Sequence, residues 1–208
     1  MSTQPLSSWD RAWRGLHAHG AGSDVRDAVL ARYAEDHRKY HTLQHLAECL
    51  DLFESVRHAP DRPAEVEMAL WLHDAIYDLK GSDNEARSAD WAEEELLRAR
   101  VAAESAARVR ELILVTKHVG VPQSRDEKVL VDIDLAILGA SEARFAEYER
   151  QIREEYSYVP ELLFRLKRRE ILQSFLDRPV IYNTPALHQQ LEARARANLV
   201  AAVAANAA

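Results

Sequence analysis

The chain has 208 residues, 47% of them hydrophobic and 29% charged, with a formal net charge of −7. That composition suits an ordinary globular protein with one well-filled core, so a single domain spanning 1–208 is expected. The acidic balance argues against a nucleic-acid surface or a membrane-surface helix as the main business of the chain, and a lone cysteine, Cys49, excludes a disulfide framework and any thiolate zinc cluster.

Taken in order, the segments read as helices, with no sustained strand alternation, so the expected fold is all-α. Ser7 and Ser8 can cap a first helix through Trp9, Trp13 and Leu16, and Gly20-Ala21-Gly22 ends it. Ser23-Asp24 caps a second. His17, His19 and His37 read as ordinary surface or loop histidines. A third helix begins near Thr42, a candidate N-cap, and buries Leu43, Leu46, Ala47, Leu50 and Phe53 a turn apart. His41 and His45, four apart, stand on the face beside that stripe.

Pro63 suits a first helical position, and the pattern predicts a helix from there until Lys80-Gly81-Ser82, with His73 inside its apolar stripe and Asp74 at the edge. Gly81-Ser82-Asp83-Asn84 then turns the chain into a long helix over about 85–101, where Glu85 is a dipole-matched first-turn acid or a catalytic group. A helix over 104–119 carries Lys117-His118 in its last turn, and Gly120-Val121-Pro122 breaks it. The next, over about 126–138, is apolar nearly all round and encloses Asp132 and Asp134. Three amphipathic helices follow, over 142–156, 160–176 and 184–204, and the alanine-rich end from Ala201 reads as a fraying tail. Residues 1–13 lack a secretory pattern and no apolar run is long enough to span a bilayer, so the expected location is cytoplasmic.

Two features break the bland reading. An ionised carboxylate in an apolar helix costs several kcal/mol, roughly, unless cations or donors compensate, and the chain has such acids at Asp74 and again at Asp132 and Asp134. The second pair is two apart, so both cannot face one way on a helix; one is expected to meet a metal and the other a cationic or capping partner. His41 and His45, His73-Asp74 and the 132–134 pair therefore look like three contributions to one site. Alone, each is weak: a lone core histidine is more often hydrogen-bonded than metal-bound.

The order of these segments resembles the HD superfamily of metal-dependent phosphohydrolases. Arg-x-Tyr-His-Thr-x-x-His at 38–45, Trp-x-His-Asp-x-x-Tyr-Asp at 71–78, Asn-Glu-x-x-Ser-Ala at 84–89, Asp-x-Asp-Leu-x-Ile-Leu-Gly at 132–139 and Glu-x-x-Ala-Arg-x-Asn-Leu at 192–199 resemble a bacterial group of predicted HD phosphohydrolases of about this length. The first segment is also similar to the Tyr-His-Asn-x-x-His signature of cyclic-nucleotide phosphodiesterases, with Thr42 in place of the asparagine.

The resemblance implies an all-α helical bundle whose metal ligands are His45, His73, Asp74 and an aspartate at 132 or 134, with Asp132 favoured. It implies that His41 protonates a leaving oxygen. Glu85 and His118 are further candidates for proton transfer, and Arg38 and Lys117 for phosphate contact. Two imidazoles and two carboxylates suit Mn²⁺, Fe²⁺, Co²⁺, Ni²⁺ or Zn²⁺, as one or two ions, with Mg²⁺ as a further candidate. The expected activity is metal-dependent hydrolysis of a phosphate ester of a nucleotide-like small molecule. The alternatives are a nucleotide or alarmone pyrophosphohydrolase, or a metal- or nucleotide-binding regulatory domain with little turnover. Neither a nucleic-acid polymer nor a membrane is an expected partner, and the sequence leaves the oligomeric state open.

Overall fold

The computed structural model describes residues 4–206, and among these the regular structure is helical without strands: ten α-helices and one short 3₁₀ segment. The all-α expectation therefore holds. The chain divides into two units, one ending at Asp134 and the other beginning at Leu135.

The first unit contains α1 (Gln4–Gly15), α2 (Ser23–Tyr33), α3 (Leu43–Val56), α4 (Pro63–Leu72), α5 (Asn84–Arg98), α6 (Ala103–Val115) and α7 (Arg125–Asp134). Its centre is α4, which packs against α1, α3, α5, α6 and α7. Every residue of α4 from Glu65 to Leu72 is buried, glutamates included, so the helix has no solvent face. The two acids are tolerated because each meets a guanidinium. Glu65 accepts from Arg108 Nε and Nη2 at 2.8 and 2.6 Å, and Glu67 accepts from Ser8 Oγ at 2.6 Å and Arg11 Nε at 3.0 Å. Ser8 is thus a buried link between α1 and α4 rather than a cap. It also accepts from Trp71 Nε1 at 3.1 Å, beside an aromatic cluster of Trp9, Trp13 and Trp71.

Three expected boundaries shift. The helix expected to reach residue 80 stops at Leu72, because the backbone groups that follow are satisfied by side chains from elsewhere instead of by further helical turns. Arg38 takes the carbonyls of Asp74 and Ala75, Ser88 Oγ takes both the N–H and the carbonyl of Ile76, and the Asn84 amide takes the N–H and carbonyl of Asp78. The helix expected to reach 119 stops at Val115, with Thr116 Oγ1 donating back to the Ile113 carbonyl. The helix expected over 126–138 tightens into a 3₁₀ segment, Leu135–Gly139, after Asp134. Thr42 does cap α3, accepting from Gln44 N.

In the second unit the 3₁₀ segment is followed by α8 (Glu142–Glu155), α9 (Glu161–Leu176) and α10 (Pro185–Ala205). The alanine-rich end read as a fraying tail is helical through Ala205, and residues 207 and 208 lie outside the described residues, as do 1–3 of the segment read for a leader. The motif residues of α10 serve packing. Asn198 Nδ2 donates to the carbonyls of Leu138 and Ala140, Glu192 accepts from the N–H groups of Ile181 and Tyr182, and Tyr182 Oη donates to Leu135 O. Gly139 lies so close to α10 that a Cβ there would sit 2.7 Å from Leu191 Cβ.

A similar close approach joins α1 to α4 in the first unit, where a Cβ on Gly15 would stand 2.6 Å from Ala64 Cβ. Gly15→Ala should therefore push the two helices apart and lower stability by about 1–3 kcal/mol, the usual cost of overpacking. Urea denaturation checks this, and an unchanged midpoint would show that α1 docks more loosely than described.

Candidate metal centre

Three parts of the first unit deliver ligand-type side chains to one buried point. His45 stands on the first turn of α3, His73 and Asp74 directly follow α4, and Asp134 is the last residue of α7. His45 and His73 are 2% and 1% exposed. Their Nε2 atoms face each other at 3.1 Å. Asp74 Oδ2 lies 3.5 Å from His45 Nε2 and 3.1 Å from His73 Nε2, while Asp134 Oδ1 lies 3.3 and 3.4 Å from the same two atoms.

These separations fit a shared cation. Donors about 2.1 Å from one ion lie about 3.0 Å apart at right angles and about 3.4 Å apart at tetrahedral angles. The tautomer fits as well. His73 Nδ1 donates to the Leu70 carbonyl at 2.9 Å, which leaves the Nε2 lone pair directed inward, the usual arrangement for a metal-binding imidazole. Two N–H bonds cannot point at one another across 3.1 Å, so at most one of the facing nitrogens carries a proton. His45, His73 and Asp74 form one group close enough to share an ion, and His45, Cys49 and Asp134 form another; imidazole nitrogens together with carboxylate oxygens suit a divalent transition ion.

Charge and burial oppose one another, and charge prevails. Burial alone would push the His73 pKa down, but the Asp74 charge, followed by Tyr33 and Asp134, raises it well above the ordinary imidazole range. For His45, burial again works against the charged form and is outweighed by Cys49, Tyr40 and the two carboxylates. Conversely, burial would raise both carboxyls, yet His73 and His41 hold Asp74 well below its usual range, and His73 and His118 do the same for Asp134. Behind Asp74, the Tyr33 hydroxyl oxygen accepts the Asp74 N–H at 3.3 Å, and burial pushes the Tyr33 pKa up to about 12.

The expected fourth carboxylate was Asp132, and here the geometry corrects the expectation: the acid facing both histidines is Asp134. Asp132, fully buried within α7, lies outside the groups of side chains close enough to share an ion. The helical turn between residues two apart forces that choice, as it must for one of the two.

His118 reaches the site from beyond the end of α6. It adopts φ 57°, the left-handed region that is uncommon for a non-glycine residue, and its Nε2 donates to Asp134 Oδ2 at 2.9 Å. It therefore stands past the end of α6 and not in its last turn. His41 stands at the rim, half-buried, its ring 6.0 Å from that of His45 and 4.2 Å from that of Tyr77. It is not in the group that could share an ion.

Arg38 requires a second correction. Expected to contact phosphate, its guanidinium is instead buried and bonded to Glu35 and to three main-chain carbonyls. Lys117 is exposed and adjoins His118 in the chain, and Glu85 is half-buried in the first turn of α5. Cys49 belongs to this neighbourhood although nothing in the sequence pattern marks it. Its Sγ lies 3.7 and 3.8 Å from the two ring nitrogens of His45, a contact that the i, i+4 spacing on α3 permits.

Comparison with family models, with curated proteins and with solved structures finds no match to this chain. Among the described residues no helix is long and apolar enough to cross a membrane.

The opposed pKa shifts set how the metal-free protein responds to pH. The His45–His73 pair holds one proton between its facing nitrogens, and the contribution of that proton is fully present below the unfolded imidazole value of about 6.5 and is lost as pH rises through the raised folded value of the pair. The carboxylate contribution is present above about 3.9 and is lost as pH falls through the depressed folded values. Chelated protein should therefore be most stable between about pH 4 and 6.5 and weaken above it, whereas added Zn²⁺ or Co²⁺ should raise the thermal midpoint more at pH 8 than at pH 6. Thermal melts with chelator and with metal at both pH values check this. A chelated protein that gains stability between pH 6 and 8 would contradict it.

Proposed function

We propose that the chain is a metal-dependent phosphohydrolase of the HD kind, hydrolysing a phosphate ester of a small molecule. The observation that carries this reading is the convergence of the His45 and His73 Nε2 atoms with Asp74 and Asp134, at separations that suit ligands of one ion. Two buried imidazoles and two buried carboxylates facing one another are costly to assemble, which favours a functional site over packing. The five sequence motifs support the family resemblance.

When bound, a divalent ion supplies a Lewis acid for a phosphoryl oxygen and makes a water acidic enough to attack near neutral pH. The residues around it do the rest. His73 is held in its ligand tautomer by the Leu70 carbonyl, and Asp134 is oriented through its second oxygen by His118. His41, half-buried beside His45 and Tyr77, takes the role of proton donor to the departing oxygen in this reading. Lys117 beside His118 offers an exposed positive charge on a protein whose net charge of −7 otherwise repels phosphate.

The test is a panel of phosphate esters and nucleotides incubated with protein that has been stripped and reloaded with Mn²⁺, Fe²⁺, Co²⁺, Ni²⁺, Zn²⁺ or Mg²⁺, with released phosphate and metal content both measured. His45→Ala should lose bound metal and activity together. His41→Ala should keep the metal and lose about 10²–10⁴ in kcat, the usual worth of general acid–base catalysis. Loss of metal from His41→Ala would make His41 a ligand. Absence of hydrolysis across the panel by metal-loaded protein would remove the enzyme reading.

A further inference from the structure

We infer that Arg38 is a positioning residue that fixes the separation between the proton donor and the metal ligands, by holding the main chains of His41 and Asp74 on one nitrogen. This rests on the reading of His41 as acid and Asp74 as ligand. Arg38 Nη1 donates to the His41 carbonyl at 3.2 Å and to the Asp74 carbonyl at 2.7 Å. Nη2 donates to the Ala75 carbonyl at 3.1 Å, and Nε to Glu35 Oε2 at 3.1 Å.

The guanidinium side chain is fully buried, and its charge is offset by Glu35 and by the faces of Tyr33 and Tyr77, whose ring centres lie 5.3 and 5.4 Å from Arg38 Cζ. Tyr77 in turn lies against the His41 ring, and Tyr33, the last residue of α2, accepts the Asp74 N–H through Oη, so each ring that faces the guanidinium also touches one of the two segments. On the far side of the segment, Ser88 and Asn84 hold the backbone of Ile76 and Asp78. Residues 74–78 are irregular backbone held by side chains from elsewhere, and two residues of the turn that carries His41 reach them: His37 Nε2 meets the Tyr77 carbonyl at 2.8 Å, and Arg38 joins the main chains of His41, Asp74 and Ala75.

A planar fork suits this task in a way that an ammonium does not. Lysine is a point charge on a flexible stem and cannot donate along three fixed directions to carbonyls from two segments. Displacing either segment by a fraction of an ångström would leave the ion bound through the remaining ligands while moving the acid away from the leaving oxygen.

The experiment uses the full-length protein as Arg38→Lys and Arg38→Ala, the latter with and without free guanidinium at non-denaturing concentration. Amide hydrogen exchange is measured on chelated protein, and turnover on metal-loaded protein with 4-nitrophenyl phosphate and phenyl phosphate. Exchange at 41–43 and 74–76 should rise together, by about tenfold or more, with α4 unaffected, and guanidinium should restore both in Arg38→Ala. Metal content and KM should stay near wild type while kcat falls, and falls more for phenyl phosphate, whose leaving group needs the proton. Loosening of one segment only, full protection in Arg38→Lys, or equal losses on the two esters would overturn the inference. If Arg38→Ala does not fold, Arg38→Lys still decides it. Wild-type protein that hydrolyses neither ester would count against the phosphatase reading, and the exchange data would still decide whether Arg38 couples the segments.

Discussion

The site in the first unit depends on the cost of burying two imidazoles and two carboxylates together, each kind of group holding the other in its charged form. His45 and His73 point the same atom at each other across 3.1 Å, and Asp74 and Asp134 each lie within 3.5 Å of both nitrogens. Without a cation or a proton between them the lone pairs and negative charges oppose one another in a place shielded from water. A core that encloses such a group has to hold it rigidly. The continuous burial of α4, its glutamates neutralised by Arg108 and Arg11, supplies that rigidity immediately before His73.

The irregular stretch after α4 is the second requirement. A helix continued through Asp74 would direct the carboxylate according to the helical turn, whereas the observed break lets both His73 and Asp74 reach the same point although they are neighbours in sequence. That break costs backbone hydrogen bonds, and the side chains of Arg38, Ser88, Asn84 and Tyr33 replace them. These polar residues are therefore as much a part of the site as the groups that face its centre. His118, held at positive φ, completes the shell by fixing the outer oxygen of Asp134.

The residue pattern carried the helical class, the cap at Thr42, the near-complete burial of the α7 stretch and the three segments that contribute to the site. Periodicity reports burial, and the site lies on buried faces. It could not report the end of α4, because an apolar run followed by Ala75, Ile76 and Tyr77 has the same local preference whether or not the distant Arg38 captures its carbonyls. The choice between Asp132 and Asp134 depended on the rotation of α7 about its axis, which apolar residues nearly all round leave undetermined. The charge of Arg38 is visible in sequence and suggests a phosphate contact, but its burial against three carbonyls is a property of the turn. The motifs at 132–139 and 192–199 read as one functional signature. Their later residues instead stitch the 3₁₀ segment to α10 within the second unit.

The central claim is that one cation is shared by the inward nitrogens of His45 and His73. Nitrogen NMR of the imidazoles during titration of chelated protein with Zn²⁺ tests it most directly. Both Nε2 resonances should move together and reach their end points at one ion per chain, while His73 Nδ1 remains protonated on the Leu70 carbonyl. If either Nε2 stays unshifted as the metal binds, or if His73 binds through Nδ1, the two imidazoles do not share an ion and the account of the site is wrong.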